Sequence, residues 1–120
     1  MKVLFGFRDV LAIDAWLDHF ESKGFEVDGA MSGEDLLGTA LEFSPDVLVA
    51  EYQLKGDLDS LGVYYSLLAK PEVHHVKLIL ISDFDEKELK KMNKNITLSS
   101  GILGIISPNK LSFEGVEELL

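Results

Sequence analysis

Five short apolar runs, separated by segments of helical period, constrain the fold of this chain more than any other feature. They are Val3-Leu4-Phe5-Gly6-Phe7, Phe25-Glu26-Val27, Val47-Leu48-Val49-Ala50, Leu78-Ile79-Leu80-Ile81 and Ile102-Leu103-Gly104-Ile105-Ile106. Four are nearly continuous, the pattern of strands buried on both faces of a parallel sheet. Phe25-Glu26-Val27 alternates, as an edge strand does.

The intervening segments carry helix signals. Leu11, Ala15, Trp16 and Phe20 predict an apolar stripe flanked by Ile13 and Leu17, with Asp14, Asp18, Glu21 and Lys23 on the wet side and Gly24 ending the helix. Ser32 reads as an N-cap before Leu36, Leu37, Ala40 and Leu41, and Pro45 bars that helix from the next strand. Leu61 to Ala69 and Asp85 to Met92 predict two more helices, the latter with a Glu86–Lys90 pair. Ser112 caps a fifth, whose apolar positions include Val116, Leu119 and Leu120. Strands alternating with helices give a (βα)5 chain, a three-layer α/β fold with right-handed crossovers. At this length a doubly wound, flavodoxin-like parallel sheet of order 2-1-3-4-5 fits best, and its site lies at the carboxyl ends of strands 1, 3 and 4. Those ends carry Phe7-Arg8-Asp9, Glu51-Tyr52-Gln53 and Ser82-Asp83-Phe84.

Composition narrows the function classes. The 120 residues suit one domain, and without cysteine there is neither a disulfide framework nor a cysteine-based zinc site. The net charge of −10 disfavours bulk electrostatic binding to nucleic acid or an anionic membrane. The excess lies early: residues 1–70 hold 13 acids against 5 bases, mostly on predicted helix faces. No apolar stretch approaches the roughly 20 residues of a membrane span. The run at Met1 to Asp9 is too short for a secretory signal, so a cytoplasmic location is expected. His74-His75 reads as a loop pair rather than a metal site, His19 as a surface residue and Trp16 as core.

The stretch Ser44-Pro45-Asp46-Val47-Leu48-Val49-Ala50-Glu51-Tyr52-Gln53-Leu54-Lys55-Gly56-Asp57 is similar to the pattern P-D-hydrophobic4-D-x-x-L-P-G of two-component receiver domains of the CheY type. The spacing from Arg8 to Gly24-Phe25-Glu26-Val27, and Ser107-Pro108 where that family has Lys-Pro, extend the resemblance over all 120 residues. The resemblance implies an acidic pair that binds Mg²⁺, an Asp that accepts phosphate, and a Thr or Ser and a Lys that contact the phosphoryl oxygens. Carried over, the acidic pair falls on Phe7 and Arg8, leaving Asp9 as the one acid of that run. The phospho-acceptor falls on Glu51, the hydroxyl is Ser82, and the small residue after it is Asp83. The Lys falls on Ser107 and the aromatic switch on Ile105.

These departures imply an atypical pseudo-receiver: a signalling and protein-interaction domain, not an enzyme, without phosphorylation and without a cofactor, Mg²⁺ included. Arg8 stands in for the metal by pairing with Glu51 or Asp9, or else points to solvent. Glu51 acts as a built-in mimic of the phosphorylated state or is a relic. The family's contact surface, the fourth helix, fifth strand and fifth helix, carries Lys87, Lys90, Lys91 and Lys94. It is expected to serve a protein partner, an attached effector domain or a homodimer. The effector is expected beyond Leu120, because the last helix is short and ends on an apolar pair. Two rival readings are a phosphorylatable receiver with an unusual site, and a flavodoxin-like ligand-binding or enzymatic domain using Asp9, Glu51, Ser82 and Asp83.

Overall fold

The computed structural model describes residues 1–92 and 101–120. Lys94, expected on the contact surface, lies outside the described residues. Strands β1 (Lys2–Gly6), β2 (Glu26–Ala30), β3 (Val47–Glu51), β4 (Lys77–Ile81) and β5 (Ile102–Ile106) form one parallel sheet of order β2-β1-β3-β4-β5. Helices α1 (Val10–Ser22), α2 (Gly33–Phe43), α3 (Ser60–Leu68), α4 (Glu86–Met92) and α5 (Phe113–Leu119) cover its faces, with a 3-10 turn over Pro108–Lys110. The predicted (βα)5 order and strand order hold.

The continuous runs work because alternate side chains enter different cores. Leu4, Leu48, Ala50, Leu78 and Leu80 pack under α2, α3 and α4 with Leu36, Leu61, Tyr64, Leu67 and Leu89. Val3, Phe5, Val47, Val49, Ile79 and Ile81 face the other way, under α1 and α5, with Ile13, Trp16, Phe20 and Val116. Each large apolar side chain buried this way contributes about 1.5–3 kcal/mol. β2 is an edge strand, and the amide of Gly29 within it donates to the Asp28 carboxylate at 2.8 Å.

Caps set the helix ends. Ser32 and Ser112 accept from the amides of Asp35 and Gly115, both at 3.0 Å. α1 stops at Gly24 (φ +91°) in a Schellman turn, with Gly24 N–H to Glu21 O and Phe25 N–H to Phe20 O. The Phe20 and Phe25 rings close that turn at 5.5 Å. Glu86 pairs with Lys90 as expected, at 3.2 Å.

Three apolar positions differ from expectation. Leu11 is 74% exposed and Ala15 is exposed, because α1 buries Ile13, Trp16 and Phe20 instead. Leu11 lies about 200° around the helix from Ile13, on the opposite side. Leu41 is likewise exposed, while Leu36 and Ala40 carry the buried face of α2. His19 is not a plain surface residue: its ring stacks on Phe113 at 4.1 Å and its Nε2 meets Glu117 Oε1 at 2.5 Å, joining α1 to α5. Leu119 packs over Gly104 of β5.

Candidate functional site

The carboxyl ends of β1, β3 and β4 bring Arg8, Glu51, Ser82 and Asp83 around one cavity of about 70 Å³. Tyr52, Gln53, Ile81, Phe84 and Pro108 complete its wall. A volume of this size holds a water or two, since one water takes about 30 Å³ of liquid. It is far below the roughly 300 Å³ from which small-molecule pockets begin.

Glu51 is the last residue of β3 and the centre of the site. Its Oε1 accepts the main-chain N–H of Arg8 at 2.7 Å. A bond from an ionised acceptor to an amide is short and roughly twice as strong as a neutral one. Its main-chain carbonyl accepts the Ser60 hydroxyl, and the Ser60 amide donates to the Tyr52 carbonyl at 2.9 Å. The loop after β3 is then pinned to the start of α2. Lys55 N–H donates to Met31 O at 3.1 Å and Gly33 N–H to Lys55 O at 3.2 Å. Gly33 is required there, because a Cβ would overlap the Leu58 carbonyl oxygen.

Arg8 meets Glu51 through its backbone rather than its charge. Its side chain is exposed, and among the described residues no ion pair joins the guanidinium to a carboxylate. Of the two expectations for Arg8, its exposed side chain fits the one that points to solvent, and its contact with Glu51 is a main-chain bond instead. Arg8 also borders a second, larger groove with Asp57 and Asp59. Asp9 does not line the cavity. It is the N-cap of α1, accepting the Leu11 amide at 2.9 Å. An acid two residues before a helix-period segment carried that signal in the sequence.

Phe7 is 3% exposed and stacks on Trp16 at 5.5 Å, inside the α1–α5 core and away from the cavity. Ser82 is buried, and its Oγ accepts the Phe84 amide at 2.9 Å, fixing the turn into α4. Asp83 is exposed on the rim. Ser107 is half-buried ahead of the 3-10 turn and makes no capping bond, so Pro108 rather than Ser107 reaches the wall. Tyr52 and Phe84, expected at these strand ends but without a role, meet edge to face at 6.2 Å. Each follows a strand end within three residues, which was the available signal.

Mg²⁺ wants near-octahedral oxygen ligands. The residues present do not make such a set: Phe7 is core, Arg8 offers a cation, Asp9 caps a helix and Glu51 is held by an amide. Among the described residues no three His, Cys, Asp or Glu side chains are gathered to hold a metal.

No family model matches the sequence, and no curated protein matches it. Solved structures match in fold. The signal receiver domain of a modulated diguanylate cyclase from Desulfovibrio desulfuricans is similar with a TM-score of 0.75 at 20% identity, over 98% of this chain and 88% of that one. A response regulator receiver domain protein from Clostridium thermocellum gives 0.77 at 14%, over 98% and 89%. The chemotaxis protein CheY4 of Vibrio cholerae gives 0.77 at 14%, over 99% and 98%. Topology, register and these likenesses agree: the chain has the CheY-like fold of response-regulator receiver domains.

Proposed function

We propose that the chain is a signalling module of receiver fold that acts through protein contacts and takes no phosphoryl group. The observation that carries this reading is the Glu51 carboxylate bound to the Arg8 amide. Phosphoryl transfer to a carboxylate needs a free oxygen for in-line attack, with a metal and cations offsetting the developing charge. Here one oxygen is engaged. The two positions from which the family draws metal ligands are an aromatic ring and a guanidinium. Ser107 supplies no cation beside the cavity. Glu51 instead does mechanically what a bridging ion would do, tying the loop after β1 to the end of β3.

On this reading the module is not an enzyme, works in the cytoplasm and binds no Mg²⁺. Its output passes through the face of α4, β5 and α5 to an attached effector domain, a protein partner or a second copy. All five residues of β5 remain partly exposed, which suits a contact face. No described helix is long and apolar enough to cross a membrane. The test is incubation with acetyl phosphate and Mg²⁺ followed by intact-mass measurement. The mass is expected to stay unchanged, with no beryllofluoride binding, and a phosphorylated species would overturn the proposal.

A further inference from the structure

The negative charge of the chain is concentrated on one side of the fold. Residues 9–46, which build α1, β2 and α2, carry ten acids and a single base, Lys23. Between α1 and α2, over the carboxyl end of β2, runs an open groove of about 360 Å³. Val10, Ile13, Gly29, Met31 and Thr39 line it, with Asp35 on the rim. The floor is left open because position 29 has no side chain; a Cβ there would stand 2.7 Å from Ile13 Cγ2. At one end Val10 is 52% exposed. It sits in the first turn of a capped helix, so its apolar surface is presented in a fixed place.

We infer that this groove docks a basic amphipathic helix of a partner protein. An apolar side chain of that helix seats between Val10 and Met31, and its lysines or arginines meet Asp14 on α1 and Asp35 and Glu42 on α2. Asp14 lies one turn beyond Val10 and is exposed, as are Asp35 and Glu42. Buried apolar area supplies the affinity, and the acidic rim supplies orientation and association rate.

Charge and hydrogen bonding select this occupant over others. An anionic lipid surface or a nucleic acid meets ten acids. A second copy brings its own net charge of −10, and the lysines of its α4 region, Lys87, Lys90 and Lys91, are matched by Asp85, Glu86 and Glu88. An added strand is disfavoured because the Gly29 amide already has the Asp28 carboxylate as its acceptor. A helix needs no such amide.

The test is a titration of the isotope-labelled chain with a short synthetic leucine–lysine amphipathic helix, followed residue by residue by NMR. A leucine–glutamate helix of the same pattern is the control. Shifts are expected to centre on Val10, Ile13, Gly29, Met31 and Thr39. Binding is expected to survive about 1 M salt, weakened roughly tenfold, because screening removes the charge part alone. Thr39→Arg and Val10→Ser are each expected to weaken binding about tenfold or more while the rest of the spectrum stays folded. The inference falls if shifts centre on α4, β5 and α5, or scatter over all acids. It also falls if the serine variant binds as well as the parent, if the glutamate helix binds equally, or if neither peptide binds. These outcomes do not depend on whether Glu51 takes phosphate, so the two proposals fail separately.

Discussion

The two faces of the sheet are packed with different side chains. Under α2, α3 and α4 the core is mainly leucine: Leu4, Leu36, Leu48, Leu61, Leu67, Leu78, Leu80 and Leu89 are all fully buried. Under α1 and α5 it is built from rings. Phe5 meets Trp16 and Phe20 at 5.9 and 5.2 Å, Trp16 meets Phe20 and Phe113 at 5.7 and 4.6 Å, and His19 closes the set on Phe113. Leucines fill volume with little demand on direction, whereas rings prefer defined offsets and angles. The ring face extends past the end of β1 and takes in Phe7. A position that in receiver domains holds a metal-binding acid is here part of a hydrophobic core. Both cores reach the cavity, the ring face through Ile81 and the leucine face through Tyr52 and Phe84, but only the ring face has taken over the position at the end of β1.

Substitutions can break that contrast, beginning with the largest effect. Phe7→Asp, which restores the family's acid, is expected to cost more than about 4 kcal/mol. The lost ring accounts for about 3–5 kcal/mol, and the new carboxylate is buried without a partner. Denaturant unfolding measures it; a variant of near-parent stability would show that the end of β1 is open to water and that Phe7 is not part of the ring core. His19→Ala removes the Phe113 stack and the Glu117 bond, both partly exposed, and is expected to cost about 1–2 kcal/mol. Hydrogen exchange should locate that loss in α5, and an even loss across the sheet would argue that His19 does not hold that helix in place. Glu51→Ala removes one partly exposed, charge-assisted bond and is expected to cost about 1 kcal/mol, with Glu51→Gln costing less because an acceptor oxygen remains. Faster exchange at the Arg8 amide in the alanine variant is the sharper readout, since the core on either face is untouched.

The strands were legible because burial on both faces turns four of them into continuous apolar runs, which are hard to mistake. The caps at Ser32 and Ser112 were legible for a similar reason: the hydroxyl and the amide it serves lie three residues apart. The site was harder to read. Residue types pointed to a pairing of Arg8 and Glu51 by charge, but the bond is made by the Arg8 amide, a group every residue except proline carries. Asp9 looked like a remnant of a metal site, and its neighbour Leu11 supplies the amide that occupies it instead. His19 finds its partners on α5, at Phe113 and Glu117, and no local pattern connects positions so far apart. Leu11 and Ala15 were misplaced because the rotation of α1 is fixed by Ile13, Trp16 and Phe20, three large side chains that outweigh two smaller claims.

Gly33 has a consequence for how this chain can vary. It sits at the start of α2, far along the sequence from Glu51, and any side chain there displaces Leu58. That residue belongs to the loop whose other end begins at Tyr52, directly after Glu51. Substitution at this one remote position therefore pushes on the loop that begins at the site. Drift in the chain is channelled: the loop after β3 can exchange side chains such as Gln53 or Asp57, but the glycine beneath it keeps every descendant on the same backbone path.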